Sequence, residues 1–417
     1  MSTYITEIGK RAKIASVAVK NLSTDVKNRI LRECSETLKE NMDMILEANR
    51  KDVEAAKAKG ISEAMLDRLA LNEKRILDMA AGLITVMGLP DPVGEVVSMT
   101  LRPNGLQIGK KRVPLGVIAL IYESRPNVTI DAFGLCFKAG NVSILRGGSD
   151  AVNTNAILSQ LMRDILNENG TNPDALIFLE KTDREYVNEL MKLNDYVDVI
   201  IPRGGASLID NVVQNSTVPV IQTGIGNCHI YIDKLIDDEM ALNIIENAKT
   251  QRYGVCNACE SLVIHEESSE RIIPKIYELL TVKHGVEIRG DERARAICPE
   301  IKPATDEDYY EEYLDKIVSM KVVDHTPEAI DWINEHSSGH SEAIVTKNYN
   351  HAMRFLNEID SAAVYVNAST RFTDGAEFGY GAEIGISTQK LHARGPLGLH
   401  ELTTIKYIIF GTGQIRE

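Results

Sequence analysis

Residues 116–121 read Gly-Val-Ile-Ala-Leu-Ile, a short apolar run without a charged side chain. Such a run is typical of a strand that is buried on both faces, as strands of parallel sheets are. Similar runs recur, separated by segments of helix length, and they lie at residues 142–145, 175–179, 197–201 and 218–221. This alternation predicts an α/β protein built on a doubly wound parallel sheet.

A second series of apolar runs begins near His229, and it comprises residues 261–264, 316–320, 343–345 and 362–366. Residues 1 to about 90 instead repeat apolar side chains at helical spacing, which predicts helices. We therefore predict two doubly wound parallel-sheet domains, over residues 1–228 and 229–370. A return segment over residues 371–417 follows them.

Two further segments predict strands that lack a core of their own. A hairpin is expected at residues 96–115, where Asn104 and Gly105 form the turn because both tolerate positive φ. Residues 403–410 read Thr-Thr-Ile-Lys-Tyr-Ile-Ile-Phe and predict a strand. A lone strand needs a partner, and the edge of another subunit is one candidate.

Composition and charge exclude several classes of protein. The 417 residues are 44% hydrophobic, which suffices for two or three domains with ordinary cores. A net charge of −14 argues against a nucleic-acid partner and against an anionic membrane surface. If the substrate is an anion, local cations must overcome the repulsion of the whole molecule.

The sequence also indicates the compartment. The six cysteines show no spacing typical of a disulfide framework, and the first residues have neither a basic start nor an apolar stretch. No apolar run reaches the length of a membrane span. We expect a reduced, cytoplasmic protein with no signal peptide and no membrane segment.

Cys256 is the candidate nucleophile. It follows Lys249-Thr-Gln-Arg252-Tyr-Gly-Val and precedes the apolar run at residues 261–264. A thiol near positive charge ionises more easily, and the thiolate is the reactive form. The alternative is that Cys256 merely fills a core, as most cysteines do.

Three loops that follow predicted strands are candidate binding sites for an anion. One of these loops consists of Arg146, Gly147, Gly148 and Ser149. It is a candidate because ligands of such sheets bind beyond the carboxyl ends of the strands. Glycines let backbone N–H groups approach a phosphate, and arginine suits its charge.

The second of these loops contains Arg203, Gly204 and Gly205. The third, residues 122–129, offers Arg125 for an anionic group and Asn127 as an oxyanion donor. A salt bridge between Glu123 and Arg125 is an equal alternative. Together the two Arg-Gly-Gly loops favour a cofactor that carries phosphate.

A metal site is not expected. Cys256 and Cys259 form a C-x-x-C pair, whose spacing suits zinc or a redox disulfide, but no second pair accompanies it. A trapping disulfide between these two cysteines stays possible after oxidation. His336 and His340 are separated by Ser-Ser-Gly, which argues against one helical face carrying both, so we expect ordinary hydrogen-bonding roles.

The quoted motifs resemble the gamma-glutamyl phosphate reductases, a branch of the aldehyde dehydrogenase superfamily. The resemblance covers essentially the whole chain. It is strongest in the Lys249–Glu260 stretch, in residues 116–127 and 202–205, and in the His-Ser-Ser-Gly-His motif that ends at His340. The sequence departs from the family at Trp332, where histidine is usual, and at residues 253–255.

The resemblance implies an architecture and several roles. Residues 1–228 would bind the cofactor, residues 229–370 would hold the catalytic cysteine, and hairpin 96–115 with the C-terminal strand would form an oligomerisation element. Cys256, and not Cys259, falls on the nucleophile. Glu312 falls near the glutamate that binds the nicotinamide ribose, although a solvated acidic helix is the alternative.

Two differences from ordinary aldehyde dehydrogenases refine the expected chemistry. Arg146 and Ser149 stand where those enzymes carry lysine and often glutamate, and this change favours NADPH over NADH because a glutamate would repel the 2′-phosphate. Gln222 and Thr223 replace the glutamate that activates water, so a thioester would survive hydrolysis.

The implied reaction is the second step of proline biosynthesis, in which L-glutamate 5-phosphate is reduced to L-glutamate 5-semialdehyde and phosphate. Glu123, Arg125 and Arg371 are the candidate substrate ligands. An ordinary or CoA-acylating NAD(P)-dependent aldehyde dehydrogenase is the alternative. A homo-oligomer, either dimer or tetramer, is expected, and the sequence leaves open whether a glutamate 5-kinase channels the acyl phosphate to this protein.

Overall fold

The computed structural model describes residues 2–416, apart from the side chain of Ala64. The chain forms two compact units. The first comprises residues 1–222, 379–385 and 397–417, and the second comprises residues 223–378 and 386–396. Parts of the segment predicted as a return after residue 370 therefore fall in each unit.

The first unit begins with helices, as the helical spacing predicts. Their bounds are α1 Thr3–Val19, α2 Thr24–Glu40, α3 Met42–Ala58, α4 Glu63–Leu69 and α5 Glu73–Gly88. Serine or asparagine side chains cap four of the five N-termini by accepting a backbone N–H. Such caps satisfy donors that the helix itself leaves without partners.

A parallel sheet and its helices follow a hairpin in the first unit. The elements are β1 Val96–Leu101, β2 Gln107–Pro114, β3 Val117–Tyr122, α6 Asn127–Lys138, β4 Val142–Arg146, α7 Val152–Glu168, β5 Leu176–Phe178, α8 Arg184–Leu190, β6 Val199–Arg203 and α9 Ala206–Asn215. The strand order is β5-β4-β3-β6, with parallel pairing throughout. The carboxyl ends of β3, β4 and β6 thus lie at one edge of the sheet.

The prediction of one strand in this sheet is wrong. Residues 218–221 contribute only a single bridge, between Ile200 and Val220. Pro219 interrupts the ladder because it has no N–H to donate. Its carbonyl still accepts from the Ile200 N–H at 2.8 Å.

The second unit contains a seven-stranded sheet. The elements of the second unit are β7 Cys228–Ile232, α10 Asp238–Thr250, β8 Cys259–His265, α11 Glu266–Tyr277, β9 Glu287–Gly290, α12 Glu292–Ile297, β10 Lys302–Pro303, β11 Ile317–Val323, α13 Thr326–His336, β12 Ser341–Val345, α14 Tyr349–Glu358, β13 Ala363–Val366, β14 Ile386–Ser387 and β15 Gly395–Pro396. The order is β10-β9-β11-β8-β7-β12-β13, and neighbouring strands are parallel.

Both faces of this sheet are covered, and β8 is one of its inner strands. Leu262 and Ile264 of β8 pack into a core with residues of α10 and α11. Val263, between them, packs into a second core with residues of α13 and α14. Helices on both faces explain why the strand is apolar throughout, and the predicted doubly wound sheet is confirmed.

The last strand, β16 Thr403–Phe410, belongs to the first unit and pairs antiparallel with β2 along its whole length. The partner of β16 is therefore a strand of the same chain, and the edge of another subunit, which was one candidate for this role, does not supply it. The resulting sheet has the order β1-β2-β16, and all six residues of β1 are exposed. Leu101, Tyr407 and Ile409 are among its exposed apolar side chains.

Candidate active site

Cys256 lies in a tight turn just before β8. The turn is closed by the Ala258 N–H, which donates to the Val255 carbonyl at 3.1 Å. Cys256 is partly exposed, whereas the other five cysteines are buried. The turn therefore presents the one accessible thiol of the described chain, at the entrance of an inner strand.

The backbone ahead of β7 packs against the turn. A Cβ atom on Gly226 would lie 1.5 Å from the Cys256 carbonyl oxygen, so only glycine fits there. The buried Cys228 thiol donates to the same oxygen at 3.2 Å. Burial raises the pKa of Cys228 well above its usual value, so this thiol stays protonated and remains a donor. Together these contacts fix the peptide that follows the candidate nucleophile.

Glu312 lies in irregular chain, and the alternative of a solvated acidic helix is wrong. A single 3₁₀ turn, Glu307–Tyr309, precedes it. The Gly226 N–H donates to Glu312 Oε1 at 2.7 Å. The predicted ribose ligand is thereby attached to the segment that contacts Cys256.

The lysine ahead of the thiol has an acidic partner. Lys249 Nζ lies 2.5 Å from Glu260 Oε2, and both side chains are fully buried. Burial raises the pKa of Glu260, while the charge and the hydrogen bond of Lys249 oppose that shift and favour the ionised carboxylate. The Leu314 N–H also donates to Glu260, at 3.3 Å. Because Glu260 compensates its charge, Lys249 supports the loop more than it activates the thiol.

Arg371 bridges the two ends of the cysteine loop. Its Nε donates to Gln251 Oε1 at 2.9 Å, and its Nη1 donates to the side-chain oxygen of Asn257. Asn257 in turn donates to the Thr373 carbonyl at 3.0 Å, and its own carbonyl accepts from Thr370 Oγ1 at 2.7 Å. Burial lowers the pKa of Arg371, and the nearby charge of Arg252 lowers it further.

The two histidines of the His-Ser-Ser-Gly-His motif take part in different hydrogen bonds. His336 Nδ1 lies 2.8 Å from the Trp332 carbonyl, and its ring stacks on Trp332 at 3.8 Å between centroids. His340 Nδ1 lies 2.8 Å from Ser341 Oγ and 3.7 Å from the Cys228 sulfur. Within residues 2–416, no three His, Cys, Asp or Glu side chains are grouped so that they could hold a metal.

The first unit brings three of the predicted loops together. The Gly205 N–H donates to Glu123 Oε2 at 3.2 Å, at the N-terminus of α9. A Cβ atom on Gly204 would lie 2.7 Å from Glu123 Cδ, and a Cβ atom on Gly148 would lie 2.9 Å from Ser124 Oγ. The loops therefore pack closely at both glycines, and Glu123 occupies the anion-attracting end of the helix.

Among residues 2–416, Arg146 has only neutral hydrogen-bond partners. Its Nη1 donates to the Gly147 carbonyl at 2.9 Å and its Nη2 to the Thr182 carbonyl at 2.7 Å. Its Nε is buried and has no hydrogen-bond partner in the part of the chain that the structure describes. Burial lowers the pKa of Arg146. An uncompensated guanidinium with an unused donor fits a phosphate group.

The remaining predicted residues of this unit are placed as follows. Ser149 begins a 3₁₀ turn, Ser149–Ala151, and Arg203 ends β6. The Arg125 N–H donates to the Glu123 carbonyl at 2.7 Å. Asn127 Nδ2 donates to Asp131 Oδ2 at 2.9 Å, within helix α6. Because the amide group carries two N–H donors, this bond leaves one of them for the proposed oxyanion.

The predicted site residues therefore fall into two groups, one in each unit. Sequence reasoning did not single out Gly226, Cys228, Gln251, Asn257 or Glu260. Gln251, Asn257 and Glu260 lie in the quoted cysteine motif, so their positions were visible although their partners were not. The closeness of Gly226 to Cys256 depends on two neighbouring strands and leaves no signal within either segment.

Comparison with known proteins gives consistent matches over the whole chain. A model of the aldehyde dehydrogenase family matches residues 2–302 and 305–408. The chain is 59% identical over 411 residues to the gamma-glutamyl phosphate reductase of Lachnospira eligens, and the match covers 99% of each.

Solved structures agree with these matches. The gamma-glutamyl phosphate reductase of Thermotoga maritima superposes with a TM-score of 0.97 at 50% identity, covering 99% of this chain and 100% of that one. An acetylating aldehyde dehydrogenase from Geobacillus thermoglucosidasius gives a TM-score of 0.71 at 16% identity, over 99% and 98% of the two chains, which shows the fold alone. No helix among the described residues is long and apolar enough to span a membrane.

Proposed function

Because the chain belongs to the aldehyde dehydrogenase family, and within it to the gamma-glutamyl phosphate reductases, we propose that it uses NADPH to reduce L-glutamate 5-phosphate to L-glutamate 5-semialdehyde and phosphate. The reaction proceeds through a thioester on Cys256. The observation that carries this proposal is the placement of Cys256. It is the partly exposed cysteine of a chain whose other cysteines are buried, and it lies on a turn fixed by Gly226 and Cys228.

The Cys256 thiolate attacks the carbonyl carbon of the acyl phosphate. A carbon–sulfur bond forms, the carbon–oxygen bond to phosphate breaks, and its electron pair leaves with the phosphate, which takes a proton from water. The Cys256 backbone N–H is the proposed oxyanion donor, with Asn127 as the proposed side-chain donor. Removal of one such donor typically costs about 3 kcal/mol.

Water must not reach the thioester before it is reduced. Gln222 and Thr223 have no side chain that acts as a strong base near neutral pH. The absence of a carboxylate in this turn supports a reductase over a hydrolytic aldehyde oxidiser. Glu312, held on the Gly226 N–H, is proposed to bind the nicotinamide ribose.

A nicotinamide cofactor is implied by the family, and NADPH is the proposed form. When bound, it supplies the hydride that reduces the acyl group. Arg146, with its uncompensated charge, and Ser149 are proposed to hold the 2′-phosphate. Gly147, Arg203, Gly204 and Gly205 are proposed to line the rest of the cofactor site, since their loops lie at one edge of the sheet.

The substrate carries an ammonium and two anionic groups. Glu123 is proposed to meet the ammonium, while Arg125 and Arg371 are proposed to hold the anions. The net charge of −14 makes such local cations necessary.

The protein is proposed to act in the cytoplasm, in the second step of proline biosynthesis, with channelling from a glutamate 5-kinase. A homo-oligomer, dimer or tetramer, is proposed to form through the sheet of β1, β2 and β16. Support comes from its edge strand β1 and from apolar side chains such as Leu101, which is 67% exposed. Large exposed apolar patches mark interaction surfaces.

The reverse reaction tests the proposed function. Oxidation of glutamate 5-semialdehyde should require inorganic phosphate and should run faster with NADP than with NAD at limiting concentrations. Coenzyme A should not replace phosphate. Oxidation without phosphate would indicate an ordinary aldehyde dehydrogenase, and oxidation that depends on coenzyme A would indicate an acylating one.

A further inference from the structure

Arg371 is placed so that its guanidinium lies across the loop that carries Cys256. Gln251 and Asn257, the residues it contacts, stand at the two ends of this loop. Both contacts are to neutral amide oxygens, and Asn257 is itself held by Thr370 and Thr373. The arginine fork is therefore fixed in orientation while several of its N–H donors stay available.

The charge of Arg371 is only weakly opposed by a nearby acid, because burial and Arg252 each lower the pKa of Arg371 by more than Asp374 raises it. Among residues 2–416, neither Arg371 nor Arg252 has a carboxylate within ion-pair distance, although Arg371 is half-buried. Lys249 offers the contrast, because Glu260 neutralises it at 2.5 Å. Burial, Arg252 and Cys256 are all among the influences on the pKa of Arg371, so the second arginine and the thiol are its neighbours. A half-buried arginine that lies beside a second arginine, and that has no carboxylate in an ion pair, favours the binding of an anion at this position.

We propose that Arg252 and Arg371 form the subsite for the phosphoryl group of the acyl phosphate, with Gln251 and Asn257 as the residues that position Arg371. This inference rests on the proposed function and names which substrate anion the pair binds. The phosphate is bonded to the carbonyl carbon that Cys256 attacks, so its subsite must adjoin the sulfur. The α-carboxylate is at the other end of the carbon chain. A phosphate dianion also matches two cations better than a carboxylate does.

The pair would act on the leaving group in the acylation step. As the carbon–oxygen bond breaks, negative charge grows on the departing phosphate, and the two cations stabilise it. In the reverse direction they hold inorganic phosphate against the thioester carbon. The pair should therefore control the affinity for phosphate in both directions.

Alkylation of Cys256 tests this subsite without turnover. Iodoacetate is an anion and iodoacetamide is neutral, so the ratio of their rates with Cys256 reports the local charge. Replacing either arginine, as Arg371→Gln or Arg252→Gln, should lower this ratio about tenfold.

Inorganic phosphate should protect the wild-type thiol from iodoacetate, and either variant should lose that protection. Arg354→Gln, on exposed helix α14, is the matched control and should change nothing.

Kinetics of semialdehyde oxidation separate the two candidate anions. The KM for phosphate should rise about tenfold to a hundredfold in each variant, while the KM for the semialdehyde changes little. Arg371→Lys should recover part of the phosphate affinity, because it keeps the charge and loses the fork. Arg252 is exposed, so Arg252→Gln gives a readout even if Arg371→Gln does not fold.

Two outcomes would overturn the subsite. The first is an unchanged alkylation ratio and undiminished phosphate protection in both variants. The second is a KM effect confined to the semialdehyde, which would assign the pair to the α-carboxylate. If wild-type protein shows phosphate protection but no phosphate-dependent oxidation, the proposed function fails and the anion site stands.

Discussion

Gly226 approaches Cys256 so closely that a Cβ atom on the glycine would lie 1.5 Å from the cysteine carbonyl oxygen. The contact joins the chain ahead of β7 to the turn ahead of β8, and these two strands are neighbours in the sheet. Position 226 also donates its N–H to Glu312. One glycine therefore links the nucleophile turn and the proposed ribose ligand.

A Gly226→Ala change should sharply reduce activity. The added methyl meets backbone and not a movable side chain, so the turn itself must shift. A misplacement of about 1 Å at a reacting group can cost on the order of 100-fold in rate. Steady-state kinetics and thermal unfolding check this. Gly88→Ala is the control, because a Cβ there meets nothing within 4 Å. Equal kcat values for the two variants would contradict the structural role of Gly226.

Replacement of the two cysteines of the C-x-x-C pair should give opposite results. Cys256→Ala should be inactive, since it removes the proposed nucleophile. Cys259→Ala should keep most activity and lose about 1 kcal/mol of stability or somewhat more from the small cavity. Kinetics and unfolding of both variants decide this, and equal loss of activity would indicate a shared disulfide or metal role.

The labelling pattern of the cysteines should follow their burial. Burial raises the pKa of Cys259 to about 12, and Cys34 and Cys136 are raised further, so below that pH these thiols stay protonated and unreactive. Iodoacetamide at about pH 8 should modify Cys256 alone in the native protein. Peptide mass spectrometry reads the result, and a denatured sample, in which the other cysteines should also react, is the control. Rapid labelling of Cys259 in the native state would be inconsistent with this fold.

Arg146 should determine the preference for the 2′-phosphate. Arg146→Leu should raise the KM for NADP about tenfold or more and leave the KM for NAD nearly unchanged, because a charge-assisted contact to phosphate is lost. Lys181→Met is a control in a nearby exposed loop. An equal effect on both cofactors would mean that Arg146 is structural.

The architecture was predictable because each strand is apolar by itself. The run at residues 261–264 is buried on both faces of its sheet, and its composition alone indicates that. The run at residues 218–221 has a similar composition, but the prediction that it forms a strand is wrong, because Pro219 has no N–H with which to complete the pairing. For the C-terminal strand, the sequence indicates a strand but not which edge it joins.

The sequence identified a residue of the candidate site only where a single type of side chain determines the chemistry. Cys256 stands out by its motif, and its exposure agrees with that interpretation. Lys249 was expected to act on the thiol, yet its charge is compensated by Glu260, eleven residues along the chain. Arg371 is held by residues more than a hundred positions away, and no local pattern encodes such contacts.

The central claim is that the glutamyl group is carried on the sulfur of Cys256. The most direct measurement incubates the enzyme with L-glutamate 5-phosphate in the absence of dinucleotide, quenches it with acid and analyses the peptides by mass spectrometry. The account predicts a glutamyl adduct on Cys256 in the wild type and no adduct in Cys256→Ala. A glutamyl adduct on another residue, or reduction of the substrate at the wild-type rate by Cys256→Ala, would contradict it.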